Sequence, residues 1–242
     1  MIELDDVHKR LGDRDILKGL TLRIPKGVNF VLMGPSGTGK SVTLKHVIGI
    51  FKPDQGQVRV DGQDVPAMDR DALMGLRRRM GYLFQNGALI NWLSVAENVA
   101  LPLKEHGRLA KSEVEERVHQ ALQHVGMDHA AKQHPPDISG GMKLRAGLAR
   151  ALVTKPEYVL YDEPNAGLDP IISRQIHELI AEVRDRLAVT GLIVTHSRAC
   201  ATQCGDRIGI LEDGKLGVEG SVDEIVASDH PLARSFMGEG SD

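Results

Sequence analysis

Aromatic residues are scarce in this chain. Only 3% of its 242 residues are Phe, Trp or Tyr, so the core must be built mostly from aliphatic side chains. A protein that grips RNA or single strands by base stacking is not expected. Cysteine is scarcer still: Cys200 and Cys204 are the two present, four apart on an expected helix. They are too few for a disulfide framework and read as a reduced cytosolic pair without enough neighbouring ligands for a metal. No apolar run approaches the roughly 20 residues of a membrane span. Met1 is followed by Ile2-Glu3-Leu4-Asp5-Asp6 rather than a basic start and an apolar stretch, so no signal peptide is expected. An excess of one charge is also missing. Thirty Lys+Arg against 33 Asp+Glu leave a net charge of -3, which disfavours broad nucleic-acid binding. Arg77-Arg78-Arg79 reads as a solvated helix face, with an anion contact as the alternative.

What is present fits a globular chain. Hydrophobic residues make up 41% and charged residues 26%, enough to bury a core and stay soluble. The length suits one domain carrying a subdomain. Ile2-Glu3-Leu4 and Leu20-Thr21-Leu22-Arg23-Ile24 alternate like strands, and Val28 to Met33 is a buried-strand run. From about Asp69 to Thr154 the chain reads as mostly helical. Lys111 to Val125 carries an apolar stripe of Val114, Val118, Ala121, Leu122 and Val125, and Ser112 with Glu115 predicts a capping box. His119, His124, His129 and His134 share no face and read as surface residues. Strand–helix alternation then returns: Tyr158 to Tyr161, a helix over 171–189 with Ile176, Leu179, Ile180, Val183 and Leu187 inward, and Leu192 to Thr195. Glu212-Asp213-Gly214 predicts a hairpin. This order implies an α/β core with a parallel sheet and a helical insertion.

One motif names its chemistry. Gly34-Pro35-Ser36-Gly37-Thr38-Gly39-Lys40-Ser41 matches G-x-x-x-x-G-K-[ST] at each fixed position, and Val42 follows. Its glycines let backbone N–H groups close around phosphate oxygens, and the next helix adds its positive end. Lys40 is expected on the β- and γ-phosphates of ATP and the Ser41 hydroxyl on Mg²⁺. At the end of the apolar run Tyr158 to Tyr161, Asp162 is expected to hold Mg²⁺ and Glu163 to polarise the attacking water.

Further elements stand in a fixed order: Gln85 after Tyr82-Leu83-Phe84, then Ile138-Ser139-Gly140-Gly141-Met142, Asn165 to Asp169, and His196 after Ile193-Val194-Thr195. With them the chain resembles the ATP-binding subunit of ABC transporters from Ile2 to about Gly220. The resemblance implies a P-loop NTPase (RecA-like) α/β core with an N-terminal antiparallel β part and an inserted α-helical subdomain. It makes 1–85 and 155–242 the catalytic core and 86–154 the subdomain. It makes Gln85 a Mg²⁺ and water contact, His196 the γ-phosphate switch, and Asp169 a residue crossing a dimer interface. Ser139, Gly140, Gly141 and Met142 become the signature that closes on the partner's ATP. Two copies must therefore meet head to tail, at the cytoplasmic side of a membrane, against transmembrane permease subunits.

Met142 in the signature, the stretch Leu83 to Leu89, Val95 to Leu103 and Ser41 to Lys45 are similar to the Mla/Mce-type lipid-transport ATPases. That implies phospholipid as cargo in the bacterial inner membrane, an MCE-type lipid-binding protein as a further partner, and room for a small regulatory subunit. An ATPase for another small substrate is the alternative, and a soluble ABC protein acting on DNA or ribosomes a remoter one. Asn165 and Ser197 depart from the usual pattern without removing a catalytic group. Members usually stack an aromatic on adenine near Lys9-Arg10-Leu11-Gly12; here Leu11, or the Arg10 guanidinium, takes that place, which implies weak discrimination among nucleoside triphosphates. In Mla-type relatives the tail can clasp the opposite protomer, which would make Phe236 and Met237, within Ser235 to Gly240, an anchor; a frayed end is the alternative.

Overall fold

The structure, a computed structural model, describes residues 1–105 and 109–238. The chain opens with β1 (Ile2–Leu11), β2 (Arg14–Ile24) and β3 (Asn29–Met33). The phosphate loop then leads into α1 (Lys40–Val47), followed by β4 (Gln55–Val60), β5 (Gln63–Asp64), α2 (Arg70–Arg78) and β6 (Met80–Leu83). Three helices follow: α3 (Val95–Glu105), α4 (Lys111–His124) and α5 (Gly140–Leu152). Alternation resumes with β7 (Tyr158–Asp162), α6 (Pro170–Leu187), β8 (Thr190–Thr195), α7 (Arg198–Cys204), β9 (Arg207–Glu212) and β10 (Lys215–Ser221). Helices α8 (Val222–Val226) and α9 (Pro231–Met237) end the described chain.

Two sheets form. One is antiparallel, in the order β2-β1-β4-β5; the other runs β10-β9-β3-β8-β7-β6. In the second, β9, β3, β8, β7 and β6 are parallel to their neighbours and β10 alone is antiparallel. Every residue of β3 and β8 is buried, as expected where both faces of a parallel sheet are covered. The period of two sorts the core. Val31, Met33, Val159, Tyr161 and Ile193 face the helices, while Phe30, Leu32, Tyr158, Leu160, Leu192 and Val194 face the antiparallel sheet. The β9–β10 turn has Asp213 and Gly214 both at positive φ, the two-residue turn whose twist suits a hairpin. Its Gly214 carbonyl accepts from Lys18 N–H at 3.0 Å, joining the two sheets.

The structure departs from the sequence reading in several places. Met80–Leu83 is a strand, not helix, and forms the edge beside β7. Helix α4 starts at Lys111 after an uncapped Ala110. Ser112 is therefore already helical and lacks the extended backbone an N-cap needs; Glu115 faces Lys111 at 3.8 Å instead of closing a capping box. Leu187 is 45% exposed because α6 ends there. Arg77 is a staple rather than a solvated side chain, donating to the Ile48 and Gly49 carbonyls at 2.9 and 3.2 Å. Arg79 likewise pairs with Glu157 and Asp61. Met237 is buried in its own chain's core, so it does not offer itself as an anchor for a second protomer; Glu239 and Gly240 lie outside the described residues.

Asp61 ties the strand ends together. Burial pushes its carboxyl up, but hydrogen bonds from the Met1 amino group, Tyr158, Arg79 and Lys26 outweigh this and hold it well below the usual range. A carboxyl depressed in the fold stabilises above its unfolded value near about 4, and that contribution is lost as pH falls through the folded value. Asp61→Asn is expected to cost about 1–3 kcal/mol in urea melts at pH 7. The gap to the parent chain should narrow as the pH is lowered below about 4.

Candidate functional site

Parallel α/β sheets bind ligands beyond the carboxyl ends of their strands, and the predicted residues gather there. The loop after β3 needs its glycines: Gly34, Gly37 and Gly39 all have positive φ. A Cβ on Gly34 would lie 2.5 Å from the Leu211 carbonyl oxygen, and one on Gly39 2.6 Å from Leu17 Cδ2. Lys40, 7% exposed, donates to the Gly34 and Pro35 carbonyls at 2.7 and 3.0 Å. Its Nζ stands 3.8 Å from Glu163 Oε1. Burial pushes the Lys40 ammonium down from its ordinary value, and the charges of Glu163 and Asp162 push back. At that separation the attraction is worth about 4 kcal/mol for an effective permittivity of about 20.

The acidic pair sits at the end of β7. Asp162 Oδ1 accepts from Ser41 Oγ at 2.8 Å, and Oδ2 from the Tyr82 hydroxyl at 3.0 Å. Glu163 has φ +48°, a left-handed backbone rare for a side-chain-bearing residue and frequent at functional sites. Its N–H donates to the Val194 carbonyl at 2.9 Å, which fixes the turn to β8. Glu163 Oε2 lies 3.0 Å from His196 Nδ1; facing a carboxylate, that nitrogen is the protonated one. The Glu163 carboxylate is thus held between an ammonium and an imidazole on the wall of a cleft.

Gln85 opens a tight turn after β6 in which Asn86, Gly87 and Ala88 all have positive φ. Arg150 of α5 donates to the Gly87 and Ala88 carbonyls at 2.7 and 2.9 Å. A cleft of about 410 Å³ is lined by Ser36, Gly37, Gly39, Lys40, Ser41, Val42, Gln85, Glu163 and His196, with Ile16 and Ala166. Thr38 closes the loop on itself through its hydroxyl to the Pro35 carbonyl at 2.8 Å.

Other predicted residues stand apart from this cleft. Ser139 caps α5, its Oγ accepting from Met142 N–H at 3.3 Å. Gly141 allows close packing on α6, since a Cβ there would meet Ile172 Cγ2 at 2.5 Å, and Gly140 approaches Leu168. Asp169 caps α6 through the Ile171 and Ile172 N–H groups, both at 3.0 Å. Leu11, 36% exposed, ends β1 and does not line the cleft. The Arg10 guanidinium turns to the Gly12 carbonyl at 3.2 Å. Ile16, next to the phosphate loop, escaped sequence reading because an isoleucine in a strand reads as core. Tyr82 served there only as a marker before Gln85; its bond to Asp162 depends on β6 pairing with β7.

Known proteins resemble this chain in sequence and fold. Residues 17–166 match the family described as ABC transporter. The chain is 41% identical over 236 residues to the probable ribonucleotide transport ATP-binding protein mkl of Mycobacterium leprae, covering 98% of this chain and 68% of that protein. It is 38% identical over 237 residues to MlaF of Escherichia coli, the ATP-binding protein of an intermembrane phospholipid transport system, covering 98% and 88%. Among solved structures, the dimeric ATP-binding cassette MJ0796 in a post-hydrolysis state with ADP and Pi superposes with a TM-score of 0.84 at 33% identity, covering 92% of this chain and 99% of that one. With the phosphate loop, the acidic strand end and the histidine meeting in one cleft, the chain belongs to the ABC transporter family as an ATP-binding, ATP-hydrolysing subunit.

Proposed function

We propose that two copies of this chain, head to tail, hydrolyse ATP on the cytoplasmic side of a bacterial inner membrane and drive a permease that moves phospholipid. The observation that carries the catalytic part is the Glu163 carboxylate held between Lys40 and His196, one residue beyond Asp162. Ser41 and Asp162, 2.8 Å apart, with Gln85 on the same cleft, are the hard oxygen donors that suit Mg²⁺. When bound, Mg²⁺ supplies positive charge to the β- and γ-phosphate oxygens.

The residues then divide the work. The backbone from Gly34 to Ser41 and the start of α1 cradle the phosphates. Lys40 exchanges the Gly34 and Pro35 carbonyls for phosphate oxygens, which are stronger acceptors. Glu163 takes a proton from water as its oxygen bonds to the γ-phosphorus and the bond to the ADP oxygen breaks. His196 orients that carboxylate and reaches the γ-phosphate. Ile16, not a ring, offers an aliphatic surface beside the loop for the base. Ser139, Gly140, Gly141 and Met142 head a helix whose N-terminus is an anion site; in a head-to-tail pair it faces the partner's phosphate loop. Segment 86–154 acts as the subdomain that carries this signature, on a core of 1–85 and 155–242.

A second cleft of about 360 Å³ suits the permease: Met74, Phe84 and Pro102 line it beside Arg78 and Arg150. Phe84, on that cleft, is 43% exposed, and Trp92 is 80% exposed. Among the described residues no helix is long and apolar enough to cross a membrane, so the crossing is left to the partner. The likeness to MlaF, together with Met142, favours phospholipid, with an MCE-type lipid-binding protein and a small regulatory subunit completing the assembly. The name of the mycobacterial relative keeps a different small solute as the second reading.

Glu163→Gln should bind ATP as the parent chain does and hydrolyse it about 10²–10⁴-fold more slowly in a phosphate-release assay; hydrolysis at the parent rate would remove Glu163 from the mechanism. Isolating the chain with its membrane partners from detergent extracts should recover phospholipid in the complex. A complex lacking phospholipid, whose ATPase responds to an added ribonucleotide other than ATP, would favour the second reading.

A further inference from the structure

We infer that Tyr82 is a positioning residue for Asp162: its hydroxyl fixes the carboxylate in the orientation that receives Mg²⁺. The inference rests on the proposed role of Asp162. The register of the sheet makes the contact possible. Tyr82 pairs with Leu160 across the parallel β6–β7 ladder, and residues two apart share a face, so Tyr82 and Asp162 lie on the same side. A slip of one residue would send the hydroxyl to the opposite face.

The carboxylate is held from both ends. Ser41 donates to Oδ1 at 2.8 Å and Tyr82 to Oδ2 at 3.0 Å. With either hydroxyl alone, rotation about the terminal bond of the Asp162 side chain is hindered from one side; with both, one orientation is selected. The remaining lone pairs of both oxygens are then aimed consistently. Ser41 can keep donating its proton to Asp162 while its own lone pairs face a metal, so the two proposed metal-site residues are already coupled.

Tyr82 is itself immobilised. Its ring packs on Phe84 with centroids 4.2 Å apart and planes inclined by 35°, and Arg150 stands 6.0 Å above the Phe84 ring. A phenylalanine in this position would keep the ring contact and leave Oδ2 without its donor.

The experiment is Tyr82→Phe in the full chain, read by Mn²⁺ binding in electron paramagnetic resonance with a non-hydrolysable ATP analogue. Mn²⁺ affinity should fall about three- to tenfold. The Mg²⁺ concentration for half-maximal hydrolysis should rise by a similar factor, with kcat recovering at high Mg²⁺ and the melting temperature held. Unchanged Mn²⁺ affinity in a folded variant overturns the inference, as does a kcat loss that Mg²⁺ does not rescue. If Tyr82→Phe does not fold, the chain is labelled with 3-fluorotyrosine, which gives three ¹⁹F signals for Tyr82, Tyr158 and Tyr161. Variants at Tyr158 and Tyr161 assign them. The Tyr82 signal should shift when Mg²⁺ joins bound nucleotide, and its indifference to Mg²⁺ overturns the inference. Asp162→Asn separates the two levels: if that change leaves Mn²⁺ binding intact, the reading of Asp162 itself fails, whatever Tyr82 does.

Discussion

Burying the Lys40 ammonium is the constraint on which the site is built. An unpaired charge in such a place is costly. The fold offsets the cost by closing the loop's own carbonyls on it and by bringing Glu163 to 3.8 Å. Both require strands in one order. β8 lies between β3 and β7, so the loop after β3, the acid pair after β7 and His196 after β8 emerge on one edge. The arrangement is poised rather than relaxed: each partner of Lys40 is weaker than a triphosphate, and Glu163 has a left-handed backbone. In the proposed mechanism nucleotide binding would replace internal partners with better ones and release the carboxylate for water.

A second anion site is proposed at the head of α5. Ser139, Gly140 and Gly141 head α5, whose glycines serve close packing against α6 and Leu168, and none of them lines the cleft that holds Lys40. A helix N-terminus of this composition suits phosphate, and in the proposed head-to-tail pair a partner would supply it. The size of a single domain fits that proposal. In that proposed assembly the chain contributes half of each site.

Legibility in the sequence followed the range of the interactions. The phosphate loop, Asp162–Glu163 and His196 were readable because each is a short local pattern beside an apolar strand. β6 was not: Met80-Gly81-Tyr82-Leu83 is four residues long after an arginine run, and it is a strand because it pairs with β7. The Tyr82–Asp162 bond was lost with it. Ser112 and Glu115 have capping-box spacing, but α4 begins two residues earlier than that spacing requires. Arg77 and Arg79 looked like solvated charge, and their partners lie on segments remote in sequence. Leu11 was chosen by its position near the end of β1, whereas the cleft uses Ile16, brought beside the loop by β2.

Mixing two defective chains tests the shared site most directly. One carries Lys40→Ala and the other Ser139→Arg, each inactive as a homodimer. In a head-to-tail heterodimer one site combines both defects and the other combines neither. The account predicts that the mixture regains ATP hydrolysis which neither variant shows alone. A mixture as inactive as its components, with heterodimers demonstrably formed, would contradict it.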